Sequence, residues 1–216
     1  MQRQKNDLSP INLLHPYQRK YKWECGIDEA GRGCGAGPVV AAAVILPKSY
    51  FHPLLNDSKL VKAEHRALLR DHIVEHAIYH SIGIASVEEI DQYNILQSTF
   101  LAMNRAIENN KNRVCIYLID GNRFRNDHQI NYRTVIGGDG RIAAIAAASI
   151  LAKTYRDALM EELHIAHPAY HWHQNKGYLT RHHLATCREV GLCEHHRKSF
   201  NFMKEELGPV AAESPL

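Results

Sequence analysis

No stretch of this 216-residue chain holds the ~20 consecutive apolar residues that a membrane-spanning helix requires. Its opening, Met1 to Asp7, is polar and charged with no apolar segment behind it, so no secretory signal is expected. Cysteine is sparse. The five thiols, Cys25, Cys34, Cys115, Cys187 and Cys193, are odd in number and contain no C-x-x-C pair, which argues against a disulfide framework and a zinc ribbon and points to a reducing cytoplasm. A dominant charge is missing too: 26 Lys and Arg oppose 23 Asp and Glu, a net charge of +3 that permits a nucleic-acid partner without demanding one. Internal repeats and low-complexity tracts are absent. What is present is 45% hydrophobic residues, enough for one well-filled domain with an appendage, and an unusual fifteen histidines.

The apolar pattern predicts alternating strands and helices. Residues 1–20, with prolines at 10 and 16, read as an irregular arm. Trp23 to Asp28 and Val39 to Leu46, the latter stopped by Pro47, read as two strands joined by a glycine-rich turn. Ala63 to His76 has helical spacing, Ile78 to Ser86 alternates as a third strand, and Asn94 to Ile107 sets Ile95, Leu96, Thr99, Met103 and Ile107 on one helical face. Val114 to Ile119 and Tyr132 to Ile136 are further strands, and a small-residue helix covers Ile142 to Glu162. This order predicts an α/β fold, a mixed central sheet flanked by helices. The α/β domain is expected over 21–165, with a polar helical extension over 166–216 packed on it.

Acidic residues fall where such sheets gather ligands. Asp28 and Glu29 end the first strand, Asp120 ends a long apolar one, and Asp139 ends the next. A single carboxylate there is most often a cap or turn former. Four together repel one another unless a hard cation neutralises them, and Mg²⁺ or Mn²⁺ prefers all-oxygen ligands. Directly after Asp28 and Glu29, the segment Gly31-Arg32-Gly33-Cys34-Gly35-Ala36-Gly37 lets backbone amides approach a phosphate or sugar, with Arg32 available for a charged contact. Its bland reading is a tight hairpin connection.

Several motifs together resemble the bacterial ribonuclease HII family, the type 2 ribonucleases H. They are DEAGRGCGAGPVVAAAVILP at 28–47, NDSK at 56–59, NILQSTFLAMNRAI at 94–107, LIDGN at 118–122, GD with AIAAASILAKTYRD within 138–157, NKGYLTRHH at 175–183 and HRKSF at 196–200. The resemblance implies a ribonuclease H-like fold and endonucleolytic cleavage of RNA in RNA–DNA hybrids and of single ribonucleotides in duplex DNA, leaving 5′-phosphate and 3′-hydroxyl ends. It implies two divalent ions, Mn²⁺ or Mg²⁺, on Asp28, Glu29, Asp120 and Asp139. One ion would orient the attacking water and the other stabilise the departing 3′ oxygen. Gly31, Arg32 and Gly33 match the loop that contacts the ribose 2′-hydroxyl, the group that separates RNA from DNA. Tyr178 matches the tyrosine set against the sugar on the DNA side of the junction, and Lys59, Asn122, Lys153 and Lys176 are further substrate-binding candidates. A monomer is the family default; no clamp, replication or repair partner is indicated, nor a membrane. The related ribonuclease HIII fits less well, because the chain has the Gly-Arg-Gly motif and no room for that group's extra N-terminal domain.

Two positions depart from the family pattern: Leu60 and Gly138 stand where lysines are usual. Asp157 competes for the fourth acidic place, but its spacing from Lys153 favours a helix-surface ion pair. Residues 167–204 carry six Lys/Arg (Lys176, Arg181, Arg188, Arg197, Lys198, Lys204) against Glu189 and Glu194, a concentration expected to meet backbone phosphates. Eight histidines fall between His164 and His196, and protonation below about pH 6.5 would add to that charge. The pairs His171/His173 and His182/His183 suggest zinc, but with no cysteine or carboxylate at a closing spacing a structural metal is not expected. Two other readings compete: a DNA-directed nuclease of the same fold, which would cut an all-DNA duplex equally well, and a noncatalytic hybrid-binding module, which would bind without yielding metal-dependent products.

Overall fold

The computed structural model describes residues 23–108 and 114–203. The expected arm at 1–20 lies outside them. A five-stranded sheet in the order β3-β2-β1-β4-β5 forms the frame, built from β1 (Glu24–Ala30), β2 (Val39–Ile45), β3 (Tyr79–Ala85), β4 (Ile116–Asp120) and β5 (Tyr132–Val135). β1 pairs antiparallel with β2, whose other edge pairs antiparallel with β3; β4 runs parallel to β1, and β5 parallel to β4. The sheet is therefore mixed, and its central strand β1 carries the first acidic pair.

Helices cover both faces. α2 (Val87–Ile107) packs Phe100, Met103 and Ile107 onto Cys25, Ile27, Ala41, Ala43 and Ile119. α3 (Ala143–Ala166) lays an alanine-rich face, with Ala146, Ala147 and Ile150, against Ala42 and Val44, and α1 (Ala63–His76) adds Leu69 and Ile73 to the same layer. Small residues on α3 bring it close to β1. A Cβ on Gly26 would lie 2.1 Å from the Ala144 carbonyl carbon, so the strand tolerates no side chain there.

α2 begins seven residues before the expected Asn94. Ser86 and Glu89 form a reciprocal capping box, with Ser86 N–H donating to Glu89 Oε2 at 2.9 Å and Glu89 N–H to Ser86 Oγ at 3.3 Å. Asn94 is a kink inside the helix (φ 67°) whose Oδ1 accepts from Leu96 and Gln97, so the helical face read from Asn94 onward is the second segment of a longer element.

After α3 the chain makes α4 (Trp172–Asn175), α5 (Arg181–Val190) and two one-turn 3₁₀ helices, Pro168–Tyr170 and Lys198–Phe200. Tyr170, Trp172 and Cys187 gather with Ala36 and Met160 into a core of their own, which ties this segment to the glycine loop and to α3.

Candidate active site

Parallel pairing of β1 with β4 sets Ile27 opposite Ile119, so the next residues are neighbours: Asp120 ends β4, while Asp28 and Glu29, expected at the end of β1, lie just inside it, since the strand runs on to Ala30. On β1 the alternation that turns Cys25 and Ile27 toward α2 turns Gly26 and Asp28 toward α3, where Ser149 hydrogen-bonds the Asp28 carboxylate. Ser149 also shares a 2.8 Å hydrogen bond with Ser58, which draws the Asp57–Lys59 loop over the strand ends. The Asp139 position corrects the strand-end reading. β5 stops at Val135, Gly137 turns the chain at φ 62°, and Asp139 sits in a one-turn 3₁₀ helix over Gly138–Gly140. Gly138 N–H donates to Asp120 Oδ1 at 2.7 Å, and Lys59 Nζ lies 3.7 Å from Asp139 and 3.8 Å from Asp57.

Electrostatic strain marks this cluster. Burial, then the charges of Glu29 and Asp120, hold the Asp28 carboxyl well above the usual range, against hydrogen bonds from the Glu29 amide (2.7 Å) and Ser149. Burial raises Glu29 as well, opposed chiefly by Arg32 at 3.1 Å, and burial followed by Asp120 and Asp57 raises Asp139. Lys59 is raised because Asp57, Asp139, Asp28 and Asp120 together outweigh its partial desolvation. Arg32 and Lys59 are the basic groups that pair with these acids, and they are too few to balance them. An all-oxygen donor set with excess negative charge fits a hard divalent cation.

The open cleft above the strand ends is lined by Asp28, Glu29, Gly31, Arg32, Gly33, Lys59, Asp120, Lys153 and Tyr178, with Ser58, Ser149 and Arg156. Nine residues singled out in the sequence therefore share one cavity. Asp139 touches it only through Lys59 and the Gly138 turn, and Asn122 is exposed just beyond Asp120. Lys176 lies in the adjoining groove between α1, α3 and α4, bound to Glu161 at 2.5 Å and to the His173 carbonyl. Lys153 pairs with Asp157 at 2.7 Å, one turn on, which accounts for Asp157 as an ion-pair partner. At Gly138, where a lysine is usual, a Cβ would lie 2.5 Å from the flexible end of Ile145, Cδ1, and 3.3 Å from Asp120 Oδ1.

Two arginines organise the loop, and sequence reasoning missed both roles. Arg156 donates to the carbonyls of Pro38, Ala36 and Lys176 at 2.8–3.0 Å, and Arg197 to those of Gly37, Arg32 and Pro38 at 2.9–3.1 Å. Both are buried, and Gly31, at φ 97°, lies so close to Arg156 that a Cβ would meet Nε at 2.1 Å. Arg197, counted in the sequence as a charge for phosphates, instead fixes the loop from inside. His183 and His196 likewise add no surface charge: burial lowers both, His196 to about 4.

Clustered acids at the ends of a mixed sheet, beside a glycine loop braced for close approach, define a metal-dependent phosphodiester hydrolase of the ribonuclease H-like class. Comparison with known proteins narrows the class. The family model for Ribonuclease HII matches residues 25–203, and a Ribonuclease HII of Parabacteroides distasonis is 52% identical over 195 residues, 90% of this chain and 98% of that protein. The chain belongs to the ribonuclease HII family. Solved structures agree on the fold: the Archaeoglobus fulgidus ribonuclease HII from its complex with PCNA matches with TM-score 0.69 and 22% identity, over 86% of this chain and 98% of that one. Bst-RNase HIII in complex with Mn²⁺ matches with TM-score 0.61 and 18% identity, over 78% of this chain and 63% of that one.

Proposed function

We propose that the protein cuts the RNA strand of RNA–DNA hybrids and the 5′ side of single ribonucleotides embedded in duplex DNA, leaving 5′-phosphate and 3′-hydroxyl ends. The observation that carries this reading is the buried Asp28, repelled by the half-buried Asp120, beside the Gly31–Gly33 loop. Asp28, Glu29, Asp120 and Asp139 would hold two divalent ions, Mn²⁺ or Mg²⁺. Bound there, such ions supply Lewis-acid activation of water and charge neutralisation at the leaving oxygen. The chain's own groups do the rest. Gly33 leaves open space where a side chain would stand, so the backbone can approach a ribose 2′-hydroxyl. Arg32 is held by Glu29 at the cleft mouth, poised for a phosphate. The half-exposed Tyr178 ring, with Lys153 Nζ 6.0 Å from its centroid, offers an apolar face to a deoxyribose. Lys59, Lys153, Lys176 and Asn122 would bind the flanking backbone. Residues 21–165 would act as the catalytic unit, with the segment from 166 as a helical extension supporting the loop, in a monomer working in the cytoplasm.

The test is cleavage of a duplex containing one ribonucleotide, mapped to the nucleotide and repeated with EDTA. Asp120→Asn is expected to lose about 10³-fold or more in rate, the scale of several kcal/mol of lost charge stabilisation, while keeping its fold and hybrid binding. Full cleavage by that variant with Mn²⁺ present would overturn the assignment. An all-DNA duplex cut as readily would favour a DNA-directed nuclease.

A further inference from the structure

The segment after α3 brings metal-ligating side chains together in two places around Trp172, although their sequence spacing had argued against a metal. His183 and Cys187 sit one turn apart on α5 and His196 closes on them; His167 and His195 converge on Glu194. Hydrogen-bond chemistry separates the two.

The buried trio has no lone pair to offer. His183 Nδ1 lies 2.9 Å from the Tyr178 carbonyl, an acceptor only, so its proton is on Nδ1, and the free pair on Nε2 already receives the Trp172 indole N–H at 3.1 Å. His196 Nδ1 accepts from the Cys193 amide at 3.1 Å, which puts its proton on Nε2, facing His183 Nε2 at 3.2 Å and Cys187 Sγ at 3.4 Å. Burial pushes the Cys187 thiol up to about 11, away from the thiolate a metal requires. This trio is a closed hydrogen-bond network.

The second trio has the opposite character. Glu194 Oε1 lies 3.5 Å from His167 Nε2 and 3.7 Å from His195 Nε2, and the three donor atoms all lie within 4.8 Å of one another. Tetrahedral coordination with bonds near 2.0–2.1 Å sets donors about 3.4 Å apart, so small rotations suffice. The side chains are 23%, 67% and 32% exposed for His167, Glu194 and His195, which leaves a path for an ion and room for water as a fourth ligand. We propose that His167, Glu194 and His195 form a second metal site, a His₂–carboxylate site for Zn²⁺ or a similar borderline ion. Two imidazole donors distinguish it from the oxygen-only cluster, which suits Mg²⁺ and Mn²⁺. Its position gives it a structural consequence. His167 caps the end of α3, while the His195 carbonyl accepts from Gly37 N–H at 2.9 Å and Arg197 follows two residues on. An ion here ties α3 to the segment that braces the glycine loop.

The experiment is calorimetric titration of ZnCl₂ into the EDTA-stripped full chain in excess Mg²⁺, with Co²⁺ quenching of Trp172 as a second readout, since its ring centre lies 5.7 Å from that of His167 and 6.2 Å from that of His195. One Zn²⁺ per chain is expected, accompanied by a rise in Tm. His195→Ala and the exposed-site variant Glu194→Gln should each weaken binding about tenfold or more, while Cys187→Ser leaves it unchanged. Absence of a Zn²⁺ equivalent, unchanged affinity in both site variants, or loss of binding on Cys187→Ser would each overturn the proposal.

Discussion

At Asp28 the fold and the chemistry make opposite demands. Cleavage needs the carboxylate ionised, yet burial and the acids at Glu29 and Asp120 favour its protonated form. Asp28→Asn keeps the shape and removes the charge, so the two demands separate. The variant should lose cleavage by about 10³-fold or more and, in EDTA at pH 8, melt at a higher temperature than the wild type. A lower Tm by calorimetry would show that the hydrogen bonds from Glu29 N–H and Ser149 outweigh the repulsion. The acids themselves were legible because strand ends are set by apolar runs, and Asp28, Glu29 and Asp120 terminate such runs. Ser149, Arg156 and Arg197 were not. A serine in an alanine-rich helix and an arginine in a basic stretch carry no local mark of what they touch; their partners lie 91 residues away for Ser149–Ser58, and 120 and 165 for Arg156–Ala36 and Arg197–Arg32.

Among the elements, the contact of β1 with α3 sets the height of the site, because Asp28 is on the strand and Ser149 on the helix. Gly26 makes that contact possible: a methyl group there would overlap the Ala144 carbonyl and the Ile145 amide nitrogen, both backbone atoms that no rotamer change can move. Gly26→Ala should therefore cost about 3 kcal/mol or more by urea unfolding, at the upper end for overpacking. It should also impair cleavage, since moving α3 outward takes Ser149 from Asp28. Unchanged stability would mean that the spacing of the two layers yields to a methyl group. Periodicity made β2, α1, β3 and α3 readable. It failed at the first turns of α2, where the two buried apolar residues Val87 and Ile90 are too few to make a stripe and the Ser86–Glu89 box and the pairing of Arg105 with Glu89 at 2.6 Å add to them. The 3₁₀ turn bearing Asp139 escaped for a related reason: glycine geometry, not alternation, places it.

Across the whole molecule the C-terminal segment works as a brace, with the charge of Arg197 turned inward. Arg197→Met would leave the Gly37 and Arg32 carbonyls without their arginine donor, while Pro38 keeps Arg156, and at about 1 kcal/mol or more each the expected loss is about 2 kcal/mol, read from the urea midpoint, with weaker preference for ribonucleotide over DNA substrate. Two opposed sets of groups bear on the molecule's pH profile. His183 and His196 have folded pKa values below their ordinary 6.5, so they contribute stability that is present above that pH and is lost as pH falls toward the folded values, about 4 for His196. Asp28, Glu29 and Asp139 are raised above their ordinary values, so the folded state keeps their protons longer. Their contribution is present below about pH 4 and is lost as pH rises through the folded pKa values. Without divalent ions, Tm should therefore fall on both sides of a maximum in mildly acid solution. Mn²⁺ or Mg²⁺ binds the ionised carboxylates of the folded state alone, so it should flatten the alkaline limb and leave the acid limb, to which the histidines and the paired carboxylates Glu89 and Asp91 contribute, where it was. Calorimetric scans from pH 4 to 9 with EDTA and with excess Mn²⁺ make the comparison. An alkaline limb indifferent to Mn²⁺ would mean that the raised carboxylates are not where the ions bind.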